Sequence, residues 1–117
     1  MITWGDVAEI VGEFQTCIPV AGNRQEWCVR GKAIAWERPL SKRDLAALGD
    51  AAPRGEVLAV HVSDLVVRDA WVQTVPGACF VSAHFANYPA VLVDMEKADK
   101  QVLRELLDEA YEYLSAR

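Results

Sequence analysis

The sequence predicts an α+β fold, with a mainly antiparallel sheet of about five strands packed against about four helices. The stretch from Cys79 to Met95 contains two short apolar segments joined by a polar, aromatic connection, which is typical of a strand pair. The flanking segments have helical periodicity, so helices are available to cover one face of the sheet. We therefore expect a single domain spanning residues 1–117.

Length and composition place the chain among ordinary globular proteins. At 117 residues it is long enough for one hydrophobic core, and it is 52% hydrophobic and 25% charged. No apolar run approaches the roughly 18 residues of a membrane span. The first residues lack the basic start and apolar stretch of a secretory signal peptide. We expect a cytoplasmic protein that does not contact a membrane.

The first third of the chain predicts a helix followed by a hairpin. Thr3 and Asp6 form a capping pattern before an amphipathic helix of about three turns, in which apolar residues recur at three- and four-residue steps. Two apolar segments, 27–29 and 33–36, then flank a short turn. This spacing predicts a tight hairpin in which Gly31 has a positive φ.

The middle of the chain predicts a short helix, a central strand and a second helix. Ser41 and Asp44 repeat the capping pattern, and the helix that they begin ends at Gly49. The run 57–62 is apolar with little polar alternation, which indicates a strand buried on both faces. Asp64 is placed to cap the next helix.

The last third of the chain predicts two strands, Cys79–Ser82 and Ala90–Asp94. It also predicts a long helix, which has the clearest pattern in the chain. Asp99 caps a long helix whose apolar residues form one stripe and whose other side is mostly acidic. The stripe contains Leu103, Leu106, Leu107, Ala110, Tyr111 and Leu114.

The charge of the chain is unevenly distributed. The net charge is −5, yet residues 24–43 contain six basic residues against two acidic ones. The rest of the chain carries six basic residues against 15 acidic ones. This asymmetry is the sequence feature that most favours an anionic partner, although an ordinary solvated hairpin and helix start would have the same composition.

Three stretches together resemble the MmcQ/YjbR family of small bacterial proteins. They are Arg30–Leu40, with its glycine-lysine turn; Val57–Asp64, a strand leading into a helix; and His84–Leu92, with its His-Phe-Ala-Asn-Tyr-Pro-Ala-Val-Leu segment. The resemblance covers nearly the whole chain. It implies a compact α+β fold like the double-wing module of a phage transcription factor and, by analogy of fold, DNA binding. It implies no catalytic residues.

The first functional hypothesis is therefore weak, salt-dependent DNA binding through a basic hairpin and helix start, residues 30–43. Basic side chains would neutralise phosphates and release counterions, so that affinity falls as salt rises. The 17 acidic residues and the absence of a sequence-reading motif argue against it. The candidate nucleic-acid-binding residues are Arg30, Lys32, Arg38, Lys42 and Arg43.

The alternative hypothesis is a pocket for an aromatic small molecule. A ligand site needs mostly apolar walls with a few polar groups, and aromatic and polar residues are dense on the hairpin and on the connection. These side chains could equally be core residues and loop-fixing hydrogen bonds. The candidate ligand-binding residues are Trp36, His84, Phe85, Asn87 and Tyr88.

Enzymatic and metal sites rank last. Ser82, His84 and Asp94 are the residue types of a hydrolytic triad, but Ser82 and His84 share a face only if the strand continues through His84. Three cysteines without Cys-x-x-Cys spacing favour reduced, structural thiols. A metal site would have to draw on Cys28, Cys79, His61 and His84. We expect no enzymatic activity, metal or cofactor, and the oligomeric state stays open.

Overall fold

The computed structural model describes residues 1–116. Within them lie four α-helices: α1 Trp4–Val11, α2 Lys42–Leu48, α3 Leu65–Thr74 and α4 Lys100–Ser115. The same residues form six strands: β1 Cys17–Pro19, β2 Glu26–Val29, β3 Lys32–Glu37, β4 Val57–His61, β5 Cys79–Phe80 and β6 Ala90–Asp94. The predicted α+β class is confirmed, with one strand more than expected. None of these helices is long and apolar enough to cross a membrane.

The six strands form one sheet in the order β1-β2-β3-β4-β6-β5, and every neighbouring pair is antiparallel. Strands β4 and β6 lie inside the sheet, and all five residues of β6 are buried. A strand covered on both faces has no solvent side, which explains why the run 57–62 shows little polar alternation. Its predicted central position is confirmed.

One face of the sheet carries the main hydrophobic core. The apolar stripe of α4 packs onto this face, with Leu103 and Leu107 fully buried, and α1 adds Val7 and Ile10 beside it. The amphipathic periodicity of both helices is therefore used to cover the sheet, as predicted. This face supplies most of the buried apolar surface, which is the main stabilising term in folding.

The opposite face has a smaller cluster that is covered mainly by loop residues. Pairing between strands puts Trp36, Ala59, Leu92 and Phe80 in one row across the sheet. Phe85, from the segment between β5 and β6, packs against this row. Part of this face therefore stays accessible, and the candidate site lies there.

Most of the helix and strand ends predicted from local sequence patterns agree with the structure. Both capping boxes, Thr3 with Asp6 and Ser41 with Asp44, are present. Helix α1 is shorter than predicted, because it ends at Val11 with Gly12 as its C-cap. The predicted strand Cys79–Ser82 also ends early, at Phe80.

Candidate functional site

The segment between β5 and β6, residues 81–89, is called here the aromatic connection. It contains a 3₁₀ turn at Ala83–Phe85 rather than a continued strand. The rings of Phe85 and Tyr88 stack with centroids 5.3 Å apart. Trp36 of β3 meets both rings edge-on, at 6.5 Å from Phe85 and 6.3 Å from Tyr88. Residues distant in sequence thus form one aromatic cluster of favourable geometry.

The aromatic cluster borders an open cleft of about 510 Å³. Its volume lies within the range of small-molecule sites. Tyr88 is 45% exposed, so part of the cluster faces solvent. The remaining wall is formed by Arg24, Gln25, Glu26, Ala33, Glu37 and Arg38. The cleft thus combines an apolar surface with two cations and two carboxylates.

Arg38 is the polar residue most closely associated with the aromatic cluster. Its guanidinium carbon lies 4.8 Å from the centroid of the Phe85 ring, which is a cation–π contact. Its Nε atom is buried and has no hydrogen-bond partner among residues 1–116. A buried donor left unsatisfied costs about 1–3 kcal/mol. The terminal Nη1 and Nη2 atoms are not enclosed in this way, so they are the donors that a ligand in the cleft can reach.

The two carboxylates of the cleft contact groups in or next to β2 rather than the arginines. Glu37 accepts a hydrogen bond from the backbone N–H of Gln25 at 3.2 Å. Glu26 accepts a long contact from the Cys28 thiol at 3.9 Å. Within residues 1–116, neither Arg24 nor Arg38 forms an ion pair. The cations of the cleft therefore stay available to a ligand.

Arg68 of α3 holds the aromatic connection in place, a role that the sequence does not predict. Its side chain is buried, and its Nη1 donates to the carbonyls of Phe85 and Ala86, each at 2.9 Å. A longer contact of 3.5 Å reaches the Tyr88 carbonyl. Its Nη2 pairs with the exposed carboxylate of Asp69 at 2.9 Å. One feature of the sequence points to this role: Arg68 lies in the same helical stripe as Trp71. A charged side chain on an apolar stripe is buried on folding and therefore needs a hydrogen-bond partner.

Asp44 and His84 tie α2 to the aromatic connection. His84 Nδ1 lies 3.5 Å from the Asp44 carboxylate, which is buried although His84 itself is largely exposed. Burial by itself raises the pKa of Asp44, but hydrogen bonds with Ser41 and the proximity of His84 outweigh it. The pKa of Asp44 therefore lies below its ordinary value of 3.8.

Of the five residues predicted for an aromatic ligand, three meet in the cleft. Trp36, Phe85 and Tyr88 line it, whereas His84 and Asn87 do not. His84 faces Asp44 instead, and Asn87 is exposed. The 3₁₀ turn rotates successive side chains to different sides, which explains this division.

The five residues predicted for nucleic-acid binding lie toward both ends of β3. Arg30, in the hairpin turn, donates to the Ser115 carbonyl at the end of α4 at 3.0 Å. Lys32 begins β3, and Arg38 directly follows its last residue. At about 3.3 Å per residue these two backbones are roughly 20 Å apart. Lys42 and Arg43 are exposed at the start of α2.

The residues considered for catalysis do not form a triad. The Oγ of Ser82 is buried without a hydrogen-bond partner within residues 1–116, and Asp94 accepts from the Glu96 backbone N–H at 3.0 Å. The strand ends before His84, so the shared face that a Ser82–His84 pair required is not formed.

The residues considered for a metal site do not converge either. His61 stacks on Tyr113 with centroids 5.9 Å apart, whereas His84 faces Asp44. Cys79 is buried, and burial raises the pKa of its thiol to about 11. In the described part of the chain, no three His, Cys, Asp or Glu side chains are grouped to hold a metal ion.

Comparison with known proteins relates the chain to mycobacterial proteins. No family model and no solved structure matches it. Uncharacterized protein Rv2570 of Mycobacterium tuberculosis (strain H37Rv) is 42% identical over 114 residues, which cover 95% of this chain and 87% of that protein. Uncharacterized protein Mb2600 of Mycobacterium bovis matches with the same identity and coverage. At this identity over nearly its whole length, the chain belongs to the family of these mycobacterial proteins.

Proposed function

We propose that this protein binds a small planar aromatic molecule in the cleft bordered by Trp36, Phe85 and Tyr88. The observation that carries the proposal is the partly exposed aromatic cluster on the sheet face that is covered mainly by loop residues. Exposed aromatic surface beside polar groups is typical of a binding site. Arg68 supports the same interpretation, because it fixes the backbone that carries two of the three rings.

Because the cleft is open, we expect it to bind a small probe only weakly. Drug-sized ligands gain roughly 0.3 kcal/mol per non-hydrogen atom. A two-ring probe such as 2-naphthamide, with about 13 such atoms, would then bind with about −4 kcal/mol, or a Kd of about 1 mM. A natural ligand with more contacts would bind more tightly.

The test is a titration of the protein with 2-naphthamide, followed by nuclear magnetic resonance of backbone and indole N–H groups. We expect shifts at the Trp36 indole and along the aromatic connection. Trp36→Leu keeps an apolar side chain under Phe85 but removes a stacking surface, so affinity should fall at least fivefold. Trp71→Leu is the matched control, because Trp71 is also partly buried but lies on α3 beside Glu109. Equal affinity of both variants and the wild type would contradict the proposal.

A second candidate function is DNA binding, in line with the resemblance to the MmcQ/YjbR family. It is favoured by Lys42 and Arg43, which are exposed, lie shortly after Arg38 and form no ion pair within residues 1–116. Clustered cations without acidic partners can neutralise phosphates. The net charge of −5 limits such binding to low salt.

Fluorescence anisotropy with a labelled duplex at several salt concentrations tests this candidate. Lys42→Glu/Arg43→Glu should weaken binding and reduce the salt slope by about 2, because two phosphate contacts are lost. Arg30→Glu/Lys32→Glu makes the same change of net charge at the other end of β3 and should leave the slope nearly unchanged. No binding by the wild type at low salt would contradict this candidate.

A further inference from the structure

We infer that the ligand of the cleft is an aromatic carboxylate, whose anionic group is held by Arg38 while its ring packs against the aromatic cluster. This inference rests on the proposed function of the cleft and goes beyond it by naming the chemical class of the ligand. It depends on three observations: the state of Arg38, the orientation of the carboxylates of the cleft, and the distance between charge and rings.

Arg38 has hydrogen-bonding capacity that the protein does not use. A guanidinium carries five N–H donors, and none of those of Arg38 has an acceptor among residues 1–116. Because its Nε is shielded from solvent, the donors open to a ligand are those of Nη1 and Nη2. Contact with the Phe85 ring restricts the position of the guanidinium before a ligand arrives. A planar fork held in this way suits a carboxylate, which can accept two parallel hydrogen bonds.

The cleft wall carries two arginines and two glutamates, and the placement of these charges favours an anion beside Arg38. Glu37 is hydrogen-bonded to the Gln25 backbone, and Glu26 contacts the Cys28 thiol. Arg24 is a second cation on the same wall and forms no ion pair within residues 1–116. An anionic group beside Arg38 would therefore meet a guanidinium without an ion-pair partner in the described part of the chain, whereas a cationic group at the same place would be repelled by it.

The short distance between the Arg38 guanidinium and the aromatic rings narrows the class of ligand further. Phe85 contacts Arg38 at 4.8 Å and Tyr88 at 5.3 Å, so cation and rings are adjacent parts of one wall. A carboxylate attached directly to an aromatic ring can reach both parts at once. A long flexible spacer would instead add conformational entropy that binding must remove.

The experiment compares three probes of nearly equal shape: 2-naphthoate, neutral 2-naphthamide and cationic 2-naphthylmethylamine. Each is titrated into wild-type protein at pH 7.5 and followed by nuclear magnetic resonance. We expect 2-naphthoate to bind at least tenfold more tightly than 2-naphthamide, and the amine to bind most weakly. In Arg38→Gln the affinity for 2-naphthoate should fall to that for 2-naphthamide, with the latter changed less than threefold.

Two further variants separate specific recognition from general attraction. Arg54→Gln removes the same charge from an exposed position outside the cleft and should keep the full preference for 2-naphthoate. Arg38→Lys retains the charge without the planar fork, and should keep only a small part of the preference. If Arg54→Gln lost as much preference as Arg38→Gln, the attraction would come from the overall charge of the protein, and the inference would be overturned.

Titrations of the wild-type protein alone distinguish a failure of this inference from a failure of the proposed function. Equal affinity for 2-naphthoate and 2-naphthamide would overturn the carboxylate assignment and leave the aromatic cleft standing. Tighter binding of 2-naphthylmethylamine would overturn it in favour of a cationic ligand. If none of the three probes shifted the cleft resonances, the proposed function would fail and this inference with it.

Discussion

At the scale of single residues, two buried charges determine where the aromatic connection lies. Arg68 reaches it from α3 through backbone carbonyls, and Asp44 reaches it from α2 through His84. Each charged group is compensated by hydrogen bonds or an opposite charge, which burial requires. Neither lines the cleft, so both act by positioning the rings that do.

Replacing Arg68 by methionine should destabilise the protein and loosen the cleft together. Two charge-assisted hydrogen bonds are lost, and we expect the free energy of unfolding to fall by about 2–3 kcal/mol. The affinity for 2-naphthamide should fall at least fivefold, because Phe85 and Tyr88 lose their common anchor. Urea denaturation and the probe titration measure the two effects.

Arg104→Met is the control for Arg68→Met. Arg104 pairs with Glu13 through two 3.0 Å hydrogen bonds, but both side chains are substantially exposed. Exposed pairs contribute up to about 1 kcal/mol, so this variant should be nearly as stable as the wild type and bind the probe equally well. If the free energy of unfolding fell equally in both variants, the burial of Arg68 would not explain its contribution to stability.

Asp44→Asn should reveal a pH-dependent contribution to stability. At pH 7 the carboxylate caps α2 through the Ser41 N–H, and its loss should cost about 1 kcal/mol. The folded-state pKa of Asp44 is lowered, so its stabilising effect is present above the ordinary value of 3.8 and is lost as the pH falls through the folded value. Unfolding measured from pH 7 to pH 2.5 should show the gap to the wild type closing below pH 3.8. A gap that stayed constant over this range would contradict the assignment.

At the scale of elements, the hairpin between β2 and β3 shows how local sequence sets backbone shape. Arg30 and Gly31 both have positive φ, 54° and 81°, the pattern of a type I′ turn. This turn matches the twist of the strands, so it sets their pairing at this end. The positive φ predicted for Gly31 is confirmed.

Gly31→Ala should destabilise the hairpin through backbone strain alone. A Cβ at this position would meet no atom within 4 Å, but φ of +81° disfavours any side chain. We expect a loss of about 1–2 kcal/mol, measured by urea denaturation. Gly5→Ala, in α1 without a positive φ, is the matched control and should be neutral or stabilising by up to about 1 kcal/mol. Equal effects of the two changes would mean that conformation is not the cause.

At the scale of the whole molecule, the two faces of the sheet have different roles, one in stability and the other in the proposed binding. The face under α1 and α4 contains the larger core, and the opposite face carries a small cluster and the cleft. Stability and binding therefore depend on largely separate residues. A protein arranged in this way can change its cleft at little cost to its fold.

Leu107→Ala and Tyr88→Ser should separate these tasks. Leu107 is fully buried under the sheet, so its truncation should cost about 2–5 kcal/mol while the folded fraction keeps its probe affinity. Tyr88 is 45% exposed, so Tyr88→Ser should cost less than about 1 kcal/mol but weaken 2-naphthamide binding at least threefold. Thermal unfolding and the titration measure both quantities. A Tyr88→Ser variant that lost stability without losing affinity would contradict the division.

Much of the fold could be predicted because its signals are local. Capping boxes, a glycine with positive φ and the leucine stripe of α4 each act within a few residues. The candidate site could be predicted only in part. The sequence predicts Trp36, Phe85 and Tyr88 as ligand-binding residues, but it does not predict the 3₁₀ turn at Ala83–Phe85, after which His84 and Asn87 lie outside the cleft.

The class of the fold, the order of its elements and most of their ends follow from the sequence alone, because caps, turns and periodicity reflect short-range interactions. Three features became apparent only in the folded chain: the sheet face that is covered mainly by loops, the anchoring of the aromatic connection by Arg68, and the unused donors of Arg38. These features depend on pairing and packing between segments distant in the chain. A hydrogen bond to a backbone carbonyl leaves no mark on the residue type of its acceptor, so sequence could not reveal it.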